Sequence, residues 1–195
     1  ADADDRAQRL EFLMACVDLA SDIGADSVSF WSGSNHDGLP ESEAWAHLVT
    51  GLHQLVEYAN QRCVKLAFEP EPGMLVQYMD EFLQLADRLS SMGNHECFGL
   101  TLDVGHVHCL SDGKNDDHIR THQDRLFNIH IEDMIPGTHE HLMFGEGNLD
   151  FDRVFTALHE IKYQGPVHVE LSRHSHDAVE TARAAFEFLQ SLTKP

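Results

Sequence analysis

Short apolar, strand-like runs alternate with amphipathic helical patterns along the chain, and several of these runs end in a side chain able to ligate a metal. "VKLAFE" closes on Glu69, "FGLTLD" closes on Asp103, "LFNIHIE" carries His130 near its end, and "PVHVE" closes on Glu170. "RLEFLMACVDLASDIGA" places Leu10, Leu13, Val17 and Ala20 on one helical face before the strand pattern "DSVSFW". "SEAWAHLVTGLHQLVEYANQR" repeats Trp45, Leu48, Val49, Leu52, Val56 and Ala59, and "LVQYMDEFLQLADRLSSMG" reads as a third helix ending near Gly93. "FDRVFTALHEIKYQG" and "DAVETARAAFEFLQSL" are amphipathic helices after the last two strand patterns, and only a short helix near residues 115–123 is expected between "FGLTLD" and "LFNIHIE".

Strands buried on both faces and alternating with helices form a parallel sheet. An open doubly wound sheet would carry a Gly-x-Gly-x-x-Gly turn after a strand, and the chain has none. A barrel of alternating strands and helices gathers reactive side chains at the carboxyl ends of several strands, which is the pattern here. The expectation is an α/β chain of (β/α)8 type forming one domain over residues 1–195.

A carboxylate at the end of a buried strand costs several kcal/mol unless it is paired or bound to a cation. Four converging ligand types, Glu69, Asp103, His130 and Glu170, therefore imply a divalent metal. Glu71 follows Pro70, where the ladder cannot continue, and reads as a loop or helix N-terminal residue. A formal charge of −20, from 33 acidic and 13 basic side chains, sets the chain against nucleic acid and anionic membrane surfaces. Cys16, Cys63, Cys97 and Cys109 form no C-x-x-C pair and there is no signal-like or membrane-length apolar run, which fits a cytoplasmic protein whose thiols are buried.

"LDVGH", "IHIEDM", "HEHLMFGEGNLDF" and "VHVEL" together resemble the xylose-isomerase-like TIM barrels, the group that contains sugar isomerases and epimerases and also endonuclease IV. The likeness covers most of the chain, and the order and spacing of the motifs agree as well as their letters. It implies one divalent metal (Mn, Zn, Co or Mg) held by Glu69, Asp103, His130 and Glu170 from four successive strands. His106, three residues after the aspartate, would bind a substrate oxygen, and Gly145, Glu146 and Gly147 match the family's Gly-x-Gly. If "DSVSFW" is the fourth barrel strand, the chain holds a partial barrel, strands 4–8, without the first three. Either the chain is a fragment or another chain closes the barrel, so a homo-oligomer is compatible with it.

The position of a further metal-binding histidine in endonuclease IV is here Trp31, so a full three-metal site is not expected, and Trp31 becomes a candidate for stacking on a sugar. His106, His139 and His141 match a nitrogen-rich second site of that enzyme, which implies a second zinc; the other reading is that His139 and His141 are solvated loop residues. Arg173, with His174 in "SRHSHD", lies where such barrels often bind phosphate, the other reading being a helix start capped by Ser175 or Asp177. His168 shares a strand face with Glu170 and is expected to pack deeper, hydrogen-bonded. The resemblance implies a divalent-metal-dependent sugar or polyol isomerase or epimerase in which Glu69 and Glu170 exchange a proton with opposite faces of the substrate through an enediolate. The alternative is an endonuclease IV-like metallohydrolase or phosphoesterase acting on a small phosphorylated substrate.

Overall fold

Asp2 accepts a hydrogen bond from the Asp5 backbone N–H at 2.9 Å and so caps the first helix, α1 (Ala3–Ile23), which Gly24 ends in the left-handed region at φ 71°. The structure, a computed structural model, describes residues 2–93 and 95–192. The chain divides into two units, residues 1–101 and 102–195.

The first unit continues with β1 (Ser27–Phe30), α2 (Glu41–Asn60), β2 (Lys65–Phe68), α3 (Met79–Ser90) and the start of β3 (Phe98–Asp103). The strands run parallel, with Ser27 opposite Lys65 and Leu66 opposite Phe98. Their hydroxyls are matched inside the sheet: Ser29 Oγ and Thr101 Oγ1 lie 2.7 Å apart, and Thr101 Oγ1 donates to the Ala67 carbonyl at 3.2 Å. Phe68 is fully buried and sits among Phe30, Phe82 and Phe98 with ring centroids 5.5, 6.2 and 5.9 Å away. Truncation here leaves a cavity as well as losing apolar burial, so Phe82→Ala is expected to cost about 3–5 kcal/mol in a urea unfolding titration.

The third helix begins at Met79, later than its apolar pattern suggests. Gly73, at φ 82°, turns the chain first, and Glu81 Oε2 then accepts the backbone N–H groups of Gln77 and Tyr78 at 2.7 and 3.0 Å. The connection between α2 and β2 corrects one expectation: Cys63 is exposed, at φ 56°, because it takes the turn out of the helix, whereas Cys109 is buried and Cys16 and Cys97 are partly so.

The second unit contains Leu102 and Asp103 at the end of β3, then α4 (Val104–Leu110), α5 (Asn115–Thr121), β4 (Leu126–Ile131), β5 (Asp133–Ile135), β6 (Thr138–Leu142), α6 (Phe151–Glu160), β7 (Val167–Val169) and α7 (Ala178–Leu192). Strands β4 and β7 are parallel, with Ile129 opposite Val167. In both units parallel strands alternate with helices, as expected for the α/β class of a partial TIM barrel. Asp116 is buried and accepts from Arg120 at 2.7 Å and from Arg153 at 2.9 Å, tying α5 to α6.

Three features differ from the sequence pattern. Helix α4 precedes the expected short helix, since Asp103 caps it despite its glycine and valines. An antiparallel hairpin, β5 with β6, occupies residues 133–142. His168 is exposed, not buried, because β7 pairs with β4 alone, although its Nδ1 does make the anticipated hydrogen bond, to Asn128 Oδ1 at 2.8 Å. No helix among the described residues is long and apolar enough to cross a membrane.

Candidate metal centre

Asp103 has two tasks, one for each oxygen. As the last residue of β3 and the N-cap of α4, it uses Oδ1 to accept the His106 backbone N–H at 2.8 Å. Its Oδ2 is buried with no hydrogen-bond partner among the described residues. An anionic oxygen left in that state calls for a cation. Burial, the largest single influence, pushes Asp103 toward the neutral form, but His106, the Glu132 side chain, the His106 backbone N–H and His130 together outweigh it and hold the carboxyl below its ordinary range.

His130, on β4, and Glu170, just after β7, are brought together by the parallel pairing of their strands. His130 Nδ1 and Glu170 Oε2 lie 2.9 Å apart. This hydrogen bond is the main reason that Glu170 stays ionised to lower pH than an ordinary glutamate, against the opposing effect of burial. The ligand atoms of Asp103, His130 and Glu170 all lie within 4.8 Å of one another. Two carboxylates and an imidazole at the ends of three strands form a mixed O/N donor set that suits manganese, cobalt, zinc or magnesium. The residues therefore fit a divalent ion.

The hairpin adds nitrogen donors. Strand β6 alternates His139, Glu140 and His141, so the two histidines share one side and Glu140 takes the other. His139 Nε2 and His106 Nε2 are 3.1 Å apart, and the ligand nitrogens of His106, His139 and His141 lie within 4.8 Å of one another. The histidines thus stand on a strand and not on an irregular loop, with His139 exposed and His141 half-buried. Its tip is tied down by the Gly137 backbone N–H, which donates to the Cys109 carbonyl at 2.7 Å. Desolvation, followed by repulsion from His106 and His141, lowers the pKa of His139. In the metal-free protein an NMR titration of its ring should accordingly give a midpoint below the ordinary histidine value near 6.5.

Two acidic residues after His130 escaped the sequence reading. Glu132 is 0% exposed, two positions after His130 and so on the side that period-two alternation assigns to it. Asp133 organises the Gly-x-Gly segment: its carboxylate accepts from the backbone N–H groups of Gly145 at 2.8 Å, Leu149 at 3.1 Å and Met134 at 3.0 Å. A β-carbon on Gly147 would overlap Asp133 Oδ1, which explains the second glycine of "GEG". Arg173 lies at the surface and pairs with Glu140.

In the first unit Glu69 follows β2 directly, is only 3% exposed, and donates its backbone N–H to the Phe30 carbonyl at 2.9 Å. Glu71 lies in the loop after it, as expected. Trp31 is 44% exposed and lines a cavity of about 450 Å³ with residues that include Leu13, Leu48 and Leu52. Its carbonyl accepts from Arg9 Nη2 at 2.7 Å.

Residues 1–192 match the model of a family described as xylose isomerase-like TIM barrel. The chain is 28% identical over 183 residues to the L-ribulose-5-phosphate 3-epimerase UlaE of Salmonella typhi, a match that covers 92% of this chain and 62% of that protein. To the enzyme of the same name from Shigella boydii it is 29% identical over 168 residues, 85% of this chain and 57% of that one. The chain thus spans about three fifths of the length of these curated relatives. Among solved structures, the IOLI protein with a bound zinc atom superposes with a TM-score of 0.80 at 22% identity, covering 98% of this chain and 71% of that one. The D-allulose 3-epimerase of a Methylomonas species, in complex with D-allulose, gives a TM-score of 0.75 at 22% identity, covering 95% and 69%. At such identities the likeness is one of fold.

Proposed function

Because the chain belongs to the xylose isomerase-like TIM-barrel family, we propose that it carries the catalytic part of a divalent-metal-dependent sugar epimerase acting on the carbon beside the carbonyl of a ketose or ketose phosphate. The observation that carries this reading is the convergence of Asp103, His130 and Glu170 at strand ends, with Asp103 Oδ2 buried and without a hydrogen-bond partner among the described residues. Relatives named as ketose or ketose-phosphate 3-epimerases support the substrate class.

Asp103, His130 and Glu170 would hold the ion, and the family resemblance implies Glu69 as a fourth ligand. The ion supplies Lewis acidity, spreading the negative charge created when a proton leaves carbon. Glu170 takes that proton as a carboxylate, the form its bond to His130 favours at neutral pH. Glu69 returns a proton to the opposite face, which inverts the carbon, and each glutamate ends the cycle in the other's starting protonation state. His106 orients the substrate carbonyl or hydroxyl oxygen. Trp31 and Arg173 are proposed substrate contacts, for the sugar face and for an anionic group.

The cluster of His106, His139 and His141 favours a second zinc and keeps a second reading open, metal-dependent hydrolysis of a small phosphate ester. Incubation with L-ribulose 5-phosphate and manganese in deuterated water separates the two. Epimerisation incorporates deuterium at the inverted carbon without phosphate release. Phosphate release without deuterium uptake would replace the epimerase reading with the hydrolytic one.

A further inference from the structure

We infer that Glu132 is a positioning residue that holds His141 for the three-histidine site, an inference that rests on reading that site as a zinc centre. Glu132 is fully buried, and its Oε2 lies 3.9 Å from His141 Nδ1. That ring nitrogen is itself buried with no hydrogen-bond partner among the described residues. A contraction of about 1 Å would bring the two atoms to hydrogen-bond distance. With Nδ1–H directed at the carboxylate, Nε2 is the nitrogen left with a lone pair for an ion shared with His106 and His139. A carboxylate behind a ligating imidazole fixes its tautomer and ring angle and raises its basicity, which is worth 10- to 100-fold in metal affinity.

The surroundings are shaped to admit this carboxylate. A β-carbon on Gly105 would overlap Glu132 Oε1 and come within 2.8 Å of Met134 Cε, so the glycine of "DVGH" clears the space that Glu132 fills. The hairpin bearing His141 is anchored at Gly137 on the Cys109 carbonyl, which keeps the ring beside Glu132.

The test compares the parent with Glu132→Gln, which keeps an acceptor oxygen, and Glu132→Met, which removes it. Nitrogen NMR of the metal-free parent should show His141 protonated on Nδ1, and calorimetry with zinc at neutral pH should show two binding events. Glu132→Met should mix the tautomers and weaken one event 10- to 100-fold, clearly more than the other, whose ligand Asp103 also neighbours Glu132, with Glu132→Gln falling between. An unchanged tautomer and unchanged affinities in Glu132→Met would overturn the positioning role and leave the zinc site standing. Equal loss of both events would overturn it in favour of a structural role. A single event in the parent would remove the zinc site itself and this inference with it. Should Glu132→Met not fold, Glu132→Gln decides: parent-like tautomer and affinities overturn the inference.

Discussion

Glu170→Gln is expected to lower the rate of deuterium exchange into substrate by about 10²- to 10⁴-fold, the usual worth of a positioned general base. The amide keeps the shape of the side chain but neither ligates an ion as an anion nor accepts a proton from carbon. Stability should change little, because the side chain is 37% exposed and its pair with His130 lies near the open β7 edge. Partly exposed pairs of this kind contribute no more than about 1 kcal/mol. The stability that Glu170 does contribute is fully present above its unfolded value near 4.5 and is lost as the pH falls through its lower folded value. The variant should therefore lose a small part of the acid-side slope of stability while its neutral-pH unfolding midpoint is retained. Parent-like exchange in Glu170→Gln would remove this residue from the chemistry.

The second large effect is expected from Asp103→Asn, which separates the two uses of one side chain. Asparagine is as good an N-cap as aspartate, so its Oδ1 can keep the bond to the His106 N–H and α4 should persist by circular dichroism. The other oxygen becomes an uncharged amide nitrogen that cannot ligate a cation. Changes behind a metal ligand already cost 10- to 100-fold, so loss of the ligand itself should weaken binding at this centre by at least about 100-fold. Manganese titration of parent and variant measures it. Equal affinity would show that Asp103 serves the helix alone.

The proposed carboxylate ligands at strand ends stand out in the sequence because two signals coincide there. At Asp103 and Glu170 an apolar run of strand length stops, and the residue that stops it is acidic, a costly choice unless something uses the charge. The hairpin bearing His139 and His141 is harder to read. Asp133–Ile135 is too short to show a period, and Thr138–Leu142 is mostly polar, leaving Pro136–Gly137 as the turn signal. Helix α4 is hidden by Gly105 and the valines beside it, poor helix formers whose places are set by Glu132 and by burial. Glu132 and Asp133 follow His130 so closely that they read as more of the same acidic strand end. Only tertiary contacts separate one, beside His141, from the other, which secures the 145–149 segment.

In the proposed three-histidine site, strand β6 also makes loop length a determinant of metal preference. Its side chains alternate, so the short connection at Pro136–Gly137 decides that two imidazoles face His106 while Glu140 turns away toward Arg173. One residue inserted between Gly137 and Thr138 would exchange the faces, presenting Glu140 between Thr138 and Leu142 where His139 and His141 now stand. With His106 retained, the set would change from three imidazoles to one imidazole and one carboxylate, a mixed N/O set less selective for zinc over harder cations. A change of metal preference would then follow from an insertion, with no side chain substituted.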